Sequence, residues 1–198
     1  MHSEQNTDQF ELFSEYLKSI APISDIALSE LLSLFRPTSL RKKDHFAKEG
    51  YVANEIGFLT KGIVRAYFTN EEGKEYNKQF FTGPSIIGAY TSLISKEKNL
   101  VGQQALIDCE VLVADYSEIN KLFGKHHDLE RLGRKIAEHY FMEKEKKEIE
   151  MALLEAIERY KIMKESFPKI ELYVSQYHIA SYLGISPTQL SRIRRKKG

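Results

Sequence analysis

The apolar residues of this chain follow two different periods, and the changes of period divide the sequence into segments. Over residues 10–35 they recur every three or four positions, which predicts amphipathic helices. Over residues 38–116 they form short runs separated by turn residues such as Lys61-Gly62, which predicts antiparallel strands. The helical spacing returns after Ser117 and continues to about Phe167. We therefore expect an α+β fold in which an antiparallel β-roll, similar to a jelly roll, precedes an all-α C-terminal part.

The long helical tract that begins at Asp128 has an apolar stripe of its own. Its members recur at spacings of three and four, as the seam of a coiled-coil-like dimer requires: Leu129, Leu132, Ile136 and Tyr140. A charged run over residues 143–148 interrupts the stripe and is typical of a solvated helix face. This pattern predicts a dimerisation helix over residues 128–148.

The segment from Val174 to Arg195 predicts two short helices joined by a tight turn. Ser175 is placed to cap the first helix, and Gly184 accepts the positive φ that such a turn needs. Ser186 and Pro187 form a second helix-start signal. The apolar residues at helical spacing would face inward: Ile179, Ala180, Leu183, Leu190 and Ile193. This is the form of a helix-turn-helix whose second helix reads DNA.

The second helix of this motif would present polar and basic residues to the outside. These are Thr188, Gln189, Ser191, Arg192 and Arg195. From Leu172 to the end, the sequence has five Lys or Arg residues and no Asp or Glu. The alternative is an αα-hairpin packed in a core without DNA contact, but such a hairpin has no reason to carry several arginines and no acid. The pattern favours binding to a polyanion.

Charge is distributed unevenly between the parts of the chain. Residues 149–198 carry nine basic and five acidic residues, a net charge of +4, whereas residues 1–148 sum to −3. A nearly neutral body with a basic end favours local attraction to nucleic acid. We expect three parts: a β-roll sensor domain (1–127), the dimerisation helix (128–148) and a helix-turn-helix DNA-binding domain (149–198).

Candidate catalytic and metal-binding residues are sparse. Cys109, the only cysteine, stands in an apolar run and is interpreted as a small buried side chain. A cupin-like small-molecule-binding protein or enzyme is the alternative use of a β-roll, but its metal site needs several histidines on strands, and only His45 lies in the strand region. No Gly-rich phosphate loop or nucleophile elbow occurs. We expect no metal, no cofactor and no enzymatic activity.

The N-terminal residues and the lengths of the apolar runs predict where in the cell the protein is found. The first eight residues are polar, without the apolar core of a signal peptide, and no run approaches membrane-spanning length. We therefore expect a cytoplasmic protein that makes no contact with a membrane.

The order of these elements resembles that of the CRP/FNR family of transcription regulators, over essentially the whole chain. Residues 58–67 look like the Gly-centred hairpin of that family, and residues 105–112 look like its late strand. Glu158-Arg159-Tyr160 is similar to the start of its DNA-binding domain. The resemblance implies a homodimer that binds double-stranded DNA at a roughly palindromic site, with RNA polymerase as a further partner.

The phosphate-binding cassette departs from the family pattern. Members that bind cyclic nucleotides use a Gly-Glu pair for the ribose and an Arg-Ser pair for the phosphate. Here Gly88 is followed by Ala89 and Tyr90, and the Arg-Ser place falls at Asn99-Leu100. Burying a phosphate without a charged partner costs on the order of several kcal/mol. We expect a degenerate pocket that does not bind cyclic AMP tightly, with any other effector left open.

The resemblance also implies roles for the residues of the helix-turn-helix. Thr188, Ser191 and Arg192 occupy base-reading positions, with Arg192 placed for a bidentate contact to guanine. The start of the first helix would contact phosphates, and the basic end from Arg194 to Lys197 would add attraction independent of sequence. The full predicted DNA-binding set is Ser175, Gln176, Tyr177, Ser186, Thr188, Gln189, Ser191, Arg192 and Arg195. Pro187 and Thr188 replace the Arg and Glu of cyclic-AMP-responsive members, so a different target sequence is expected.

Two alternatives stay open at this point. Family members often carry a β-wing after the recognition helix, and either this subgroup lacks the wing or the sequence is cut short. A protein of this fold that mediates interactions without binding DNA is the other alternative. Activation and repression are equally compatible with the sequence.

Overall fold

The computed structural model describes residues 2–195, with side chains from residue 7 onward. Two N-terminal helices precede eight strands in this part of the chain. The first helices are α1 (His2–Ile20) and α2 (Asp25–Ser33). The strands are β1 (Arg36–Leu40), β2 (His45–Ala47), β3 (Glu55–Lys61), β4 (Ile63–Thr69), β5 (Glu75–Thr82), β6 (Ser85–Ile87), β7 (Gly102–Ala105) and β8 (Cys109–Asp115). The remaining helices are α3 (Tyr90–Ser95), α4 (Tyr116–Lys125), α5 (His127–Leu153), α6 (Ala156–Ser166), α7 (Ile170–Tyr173), α8 (Gln176–Tyr182) and α9 (Pro187–Arg195).

The strands form two antiparallel four-stranded sheets, which confirms the predicted α+β fold. One sheet has the order β1-β8-β3-β6 and the other has the order β2-β7-β4-β5. Because most consecutive strands lie in different sheets, with β4 and β5 as the exception, the domain is a roll of the jelly-roll type. Its buried apolar side chains include Leu59 and Val111 from the first sheet and Val64 and Ala105 from the second.

The turn between β3 and β4 explains the burial of the single cysteine. Gly62 has a φ of +118°, and a Cβ atom on it would lie 2.4 Å from Sγ of Cys109. Cys109 is 2% exposed, and burial raises the pKa of its thiol to about 11. The prediction of a small buried side chain is confirmed, and a protonated, inaccessible thiol is a poor nucleophile.

The predicted dimer stripe on the long helix packs inside the chain, and that prediction is wrong. Leu129 and Leu132 are buried in a core cluster with Phe13 of α1 and Phe58 of β3. The hydroxyl of Tyr140 donates a hydrogen bond to the carbonyl oxygen of Ile86, at 2.9 Å. A stripe shows which face of a helix is buried but not what covers it, and here α1, α4 and the roll cover it.

The long helix ends between Glu148, the predicted end of the dimerisation helix, and Phe167, the predicted end of the helical tract. It continues past Glu148 to Leu153, and α6 then begins behind a capping box. In this box Glu158 accepts a hydrogen bond from the backbone N–H of Glu155, at 2.9 Å. Most of the charged run 143–148 is exposed as predicted, but Lys147 is half-buried. The division into three parts stays a prediction.

Candidate nucleic-acid interface

The C-terminal helices pack around a small apolar core that fixes the helix-turn-helix. Ile179, Leu183 and Leu190 are completely buried, and Ile193 is 8% exposed. Tyr160 and Met163 of α6 belong to the same cluster. The inward positions predicted from the sequence are therefore the buried ones, and the opposite face of α9 is left to solvent.

The turn between α8 and α9 is a Schellman motif. Gly184 has a φ of +68°. The N–H of Ile185 donates to the carbonyl oxygen of Ala180 at 3.0 Å, and the N–H of Gly184 donates to Ser181 at 3.1 Å. These bonds satisfy the last carbonyl groups of α8, so α9 can begin only two residues after the turn. The predicted turn at Gly184 is confirmed.

Both helices of the motif are capped by the serines that the sequence indicated. Ser175 Oγ accepts a hydrogen bond from the N–H of His178, at 3.4 Å. Ser186 Oγ accepts a hydrogen bond from the N–H of Gln189, at 3.1 Å. Each cap contributes about 1 kcal/mol to the stability of its helix. The two serines therefore have a structural role in addition to the predicted DNA contact.

Eight of the nine predicted DNA-binding residues are exposed to solvent. The exposed residues are Ser175, Gln176, Tyr177, Ser186, Thr188, Gln189, Arg192 and Arg195. Ser191 is half-buried. Gln176 is exposed, but its amide Nε2 donates to the carbonyl oxygen of Pro187 at 2.8 Å, so it joins the starts of α8 and α9.

Arg194 is directed toward the protein. Its guanidinium lies 2.6 Å from a carboxylate oxygen of Glu171 on α7, and it donates to Oε1 of Gln176 at 3.5 Å. The predicted attraction of Arg194 for DNA is therefore partly offset by its acidic partner. Lys196 and Lys197, the other members of the predicted basic end, lie outside the described residues.

Arg159 joins the helix-turn-helix to the end of the long helix. The sequence did not predict this role. Its Nε and Nη2 donate to the carbonyl oxygen of Leu183 at 3.1 and 3.0 Å, and its Nη1 donates to the carbonyl oxygen of Leu154. Arg159 stands in the segment identified only by resemblance. A single arginine followed by an aromatic residue gave no other signal for this role.

The residues of the degenerate cassette differ in exposure and in their hydrogen bonds. Asn99 is 5% exposed, and its side-chain amide bonds to the backbone N–H and C=O of Val101. Leu100 is 77% exposed. Ala89 precedes α3 and is buried, whereas Tyr90 is exposed and its ring lies 6.0 Å from that of Tyr116. None of these side chains carries a positive charge.

Apolar side chains fill the roll close to this cassette. A Cβ atom on Gly57 would lie within 3.0 Å of the side chains of Phe46, Ile87 and Val111. The carbonyl oxygen of Gly88, in turn, accepts a hydrogen bond from Nε2 of the buried Gln103, at 2.9 Å. The backbone at the start of the cassette is therefore bonded within the roll.

The sequence also raised a metal centre and a membrane span as possible features. Among residues 2–195, no group of three or more His, Cys, Asp or Glu side chains is arranged to hold a metal ion. His45 lies in the roll as expected, and its Nε2 lies 2.9 Å from the hydroxyl of Tyr67. None of the helices described within residues 2–195 combines the length and hydropathy that a membrane span needs.

Comparisons with known proteins agree with this architecture. Residues 37–126 match the family model described as the cyclic nucleotide-binding domain. No curated protein matches the sequence. Among solved structures, FixK2 from Bradyrhizobium japonicum superposes with a TM-score of 0.73 at 20% identity, covering 82% of this chain and 83% of its own.

Two further solved structures are similar over most of both chains. The c-di-GMP-responsive global regulator CLP of Xanthomonas campestris has a TM-score of 0.69 at 16% identity, with 87% of this chain and 91% of its own covered. The catabolite activator protein of Thermus thermophilus has a TM-score of 0.56 at 16% identity, with 88% and 83% covered. Residues 37–126 are therefore similar to the cyclic nucleotide-binding domain, and the chain has the fold of the CRP/FNR structures with which it superposes.

Proposed function

We propose that this protein is a sequence-specific, DNA-binding transcription regulator of the CRP/FNR type and has no enzymatic activity. The observation that carries the proposal is the outer face of α9, where Thr188, Gln189, Arg192 and Arg195 are exposed on a helix whose other face is buried. No acidic residue occurs between Leu172 and Arg195. A basic helix held rigidly in this way suits the major groove.

Arg192 has the main base-reading role in this proposal. It is exposed in the last turn of α9, and a guanidinium can donate two parallel hydrogen bonds to O6 and N7 of guanine. Thr188 and Ser191 read neighbouring positions. Ser175 and Tyr177 at the start of α8 contact phosphates, and Gln176 fixes the angle between the two helices through its bond to Pro187.

The protein acts as a homodimer through the outer face of the long helix. Several apolar side chains are exposed on the C-terminal half of α5, opposite the buried stripe: Phe141, Met142, Ile149 and Leu153. Met142 and Ile149 are seven positions apart, the spacing of a coiled-coil seam. Exposed apolar side chains at that spacing favour burial against a second copy of the same helix.

A two-fold dimer determines the form of the DNA site. The two copies of α9 enter successive major grooves, so the half-sites lie about 34 Å apart and the site is roughly palindromic. Cyclic AMP does not control this binding, because Asn99 and Leu100 supply no charged partner for its phosphate. RNA polymerase is the further partner expected of such a regulator.

Selection of binding sites from random duplex DNA tests the proposal. We expect a palindromic motif with half-sites one helical turn apart, and the same motif with and without cyclic AMP. Binding to the selected duplex should weaken steeply with salt, as counterion release requires. Failure to enrich any motif, combined with no retention on heparin, would show that the protein does not bind DNA.

A further inference from the structure

A set of polar side chains joins the helix-turn-helix to the roll by hydrogen bonds. The proposed function assigns no role to them. We name the residues Arg65, Glu75, Asn77, His178 and Ser181 the interdomain network. Arg65 on β4 is at its centre, and its side chain is only 4% exposed. Its Nη1 lies 2.6 Å from a carboxylate oxygen of Glu75, and its Nε and Nη2 donate to Oε1 of Gln104. The guanidinium also lies over the ring of Tyr67, 3.9 Å from its centroid.

Asn77 and Ser181 join the roll to α8 through reciprocal bonds. The backbone N–H of Asn77 donates to Oγ of Ser181 at 2.9 Å, and Ser181 Oγ donates to the carbonyl oxygen of Glu75 at 3.1 Å. A β-bulge lies beside this contact, since Ala66 opposes Gln79 while Tyr67 opposes Asn77, which leaves Lys78 as the extra residue. β5 is the edge strand of its sheet, and α8 lies against that strand.

The orientation of the Asn77 amide is determined by its neighbours. Its Oδ1 accepts from Nη1 of Arg65 at 3.2 Å, and its Nδ2 donates to the carbonyl oxygen of His178 at 3.1 Å. A flipped amide would place two donors together at Arg65 and two acceptors together at His178. The NH2 group of Asn77 therefore faces α8.

His178 is consequently surrounded by donors on its Nδ1 side. Both Nη1 of Arg65 and Nδ2 of Asn77 lie 3.3 Å from this nitrogen. Neither of these groups can accept a hydrogen bond, so Nδ1 must carry a lone pair and the imidazole is neutral, with its proton on Nε2. A proton on Nδ1 would face two N–H donors and the guanidinium charge.

The charged groups that face His178 act in opposite directions. Burial and the guanidinium of Arg65 lower the pKa of His178, whereas the carboxylate of Glu75 opposes this effect. Glu75 itself is held ionised, because its hydrogen bond from Arg65 lowers the pKa of its carboxyl group. From α8 itself, the ring of Tyr177 lies 5.5 Å from the imidazole and adds no charge.

We propose that His178 is an acid-sensitive contact between the two domains: the neutral imidazole holds α8 on the roll, and its protonation loosens the helix-turn-helix. The apolar part of the interface, where the rings of Phe80 and Tyr182 lie 4.8 Å apart, is unaffected by the proton. The response is therefore a graded loss of docking and leaves the fold of each domain intact.

The direction of the pH effect follows from proton linkage. The proton binds more tightly when α8 is released from the roll, because His178 then regains its ordinary pKa of about 6.5. Docking is complete above that pH and weakens as the pH falls below it, by up to about tenfold per pH unit. The consequence for DNA rests on the proposed function: in acid, two loosened reading helices lose their fixed separation, and affinity for the palindromic site falls.

Amide exchange of the full-length protein tests the proposal without DNA. The reporter is the Asn77 N–H, which is bonded across the interface, and its protection factor is measured by NMR at pH 7.5 and 5.5 relative to the intrinsic rate at each pH. We expect the protection factor of wild type to be lower at pH 5.5 than at pH 7.5, by at most about tenfold. The matched control is His178→Asn, since the Asn oxygen takes the place of Nδ1 as an acceptor and does not titrate. This variant should keep its protection at both pH values.

Either of two exchange results would count against the proposed role of His178. Equal protection at both pH values in wild type, or an equal loss in wild type and His178→Asn, would overturn the proposal. A direct titration of the His178 imidazole gives a second measure, and a pKa at or above 6.5 would also overturn it. If the exchange results hold while the selected duplex is bound at neither pH, the interdomain contact stands and the DNA-binding proposal fails.

Discussion

Lys147 on the long helix lies over the ring of Tyr182 on α8, with its Nζ 3.8 Å from the ring centroid. This contact joins α5 to the helix-turn-helix inside a charged run whose pattern indicated a solvated face. Burial lowers the pKa of Lys147 to about 8, although Glu150 opposes the shift. The free energy that the ammonium loses by desolvation is thus larger than the free energy that it gains from the aromatic ring and Glu150.

Replacing Lys147 with Met should therefore stabilise the protein at neutral pH. Methionine keeps the packing of the aliphatic stem over Tyr182 and removes the buried charge, so we expect the Tm to rise by about 2–4 °C at pH 7. The unfolded chain keeps this proton up to a pKa of 10.5, so the wild-type free energy of unfolding rises between about pH 8 and 10.5. The advantage of Met should shrink over that window. Lys146→Met, at an exposed position, is the control, and a lower Tm for Lys147→Met would contradict the argument.

A methyl group on Gly184 should destabilise the helix-turn-helix. The φ of +68° costs an alanine about 1–2 kcal/mol, and its Cβ would lie 2.7 Å from Cε of Met151. Gly184→Ala should lower the unfolding free energy by about that amount in a denaturant titration. Gly124→Ala is the matched control, because Gly124 lies within α4 and a Cβ there meets no atom within 4 Å. Equal stability of the two variants would show that the turn tolerates a side chain.

Removal of the Arg192 guanidinium should relax base preference. We expect Arg192→Ala to lose about 1–3 kcal/mol of discrimination at one base pair of each half-site, measured by binding to a library of single-position variants of the selected duplex. Arg195→Ala should weaken binding to all sequences alike and reduce the salt slope by about one. A uniform loss for Arg192→Ala would assign that side chain to phosphate instead.

Charges on the outer face of α5 should break the dimer. Met142→Glu and Ile149→Glu, made together, would place carboxylates in the proposed seam without touching the buried stripe at Leu129 and Leu132. We expect a monomer by sedimentation velocity with an unchanged far-ultraviolet spectrum. Lys144→Glu introduces the same residue at an exposed position on another side of the helix and should leave the dimer intact. A dimer that survives the double variant would place the interface elsewhere.

Cyclic AMP should show no tight binding to the protein. Isothermal titration is expected to give no saturable heat at micromolar concentrations, because the amide of Asn99 is bonded to Val101 and Leu100 is apolar. Thermal unfolding in the presence of cyclic AMP gives an independent measure, since a ligand of the folded state raises the Tm. Micromolar affinity in either measurement would refute the degenerate cassette.

The sequence by itself determined the local structures with strong short-range signals. The β3–β4 turn at Gly62, the caps at Ser175 and Ser186, and the turn at Gly184 all rest on contacts within a few residues. Such features depend on backbone sterics and on nearby hydrogen-bond partners, so residue type at a given spacing is sufficient to find them. The buried face of α9 followed from its period in the same way.

Only the tertiary structure decided which surfaces meet. The stripe at Leu129 and Leu132 covers α1 and the roll, and the exposed face at Met142 and Ile149 lies opposite. Arg65 and His178 are 113 positions apart in the sequence, and no local pattern relates them. The period of the apolar residues shows which face of a helix is buried. It does not show what covers that face, because the hydrophobic effect is not directional. The covering surface depends on how all the elements pack together.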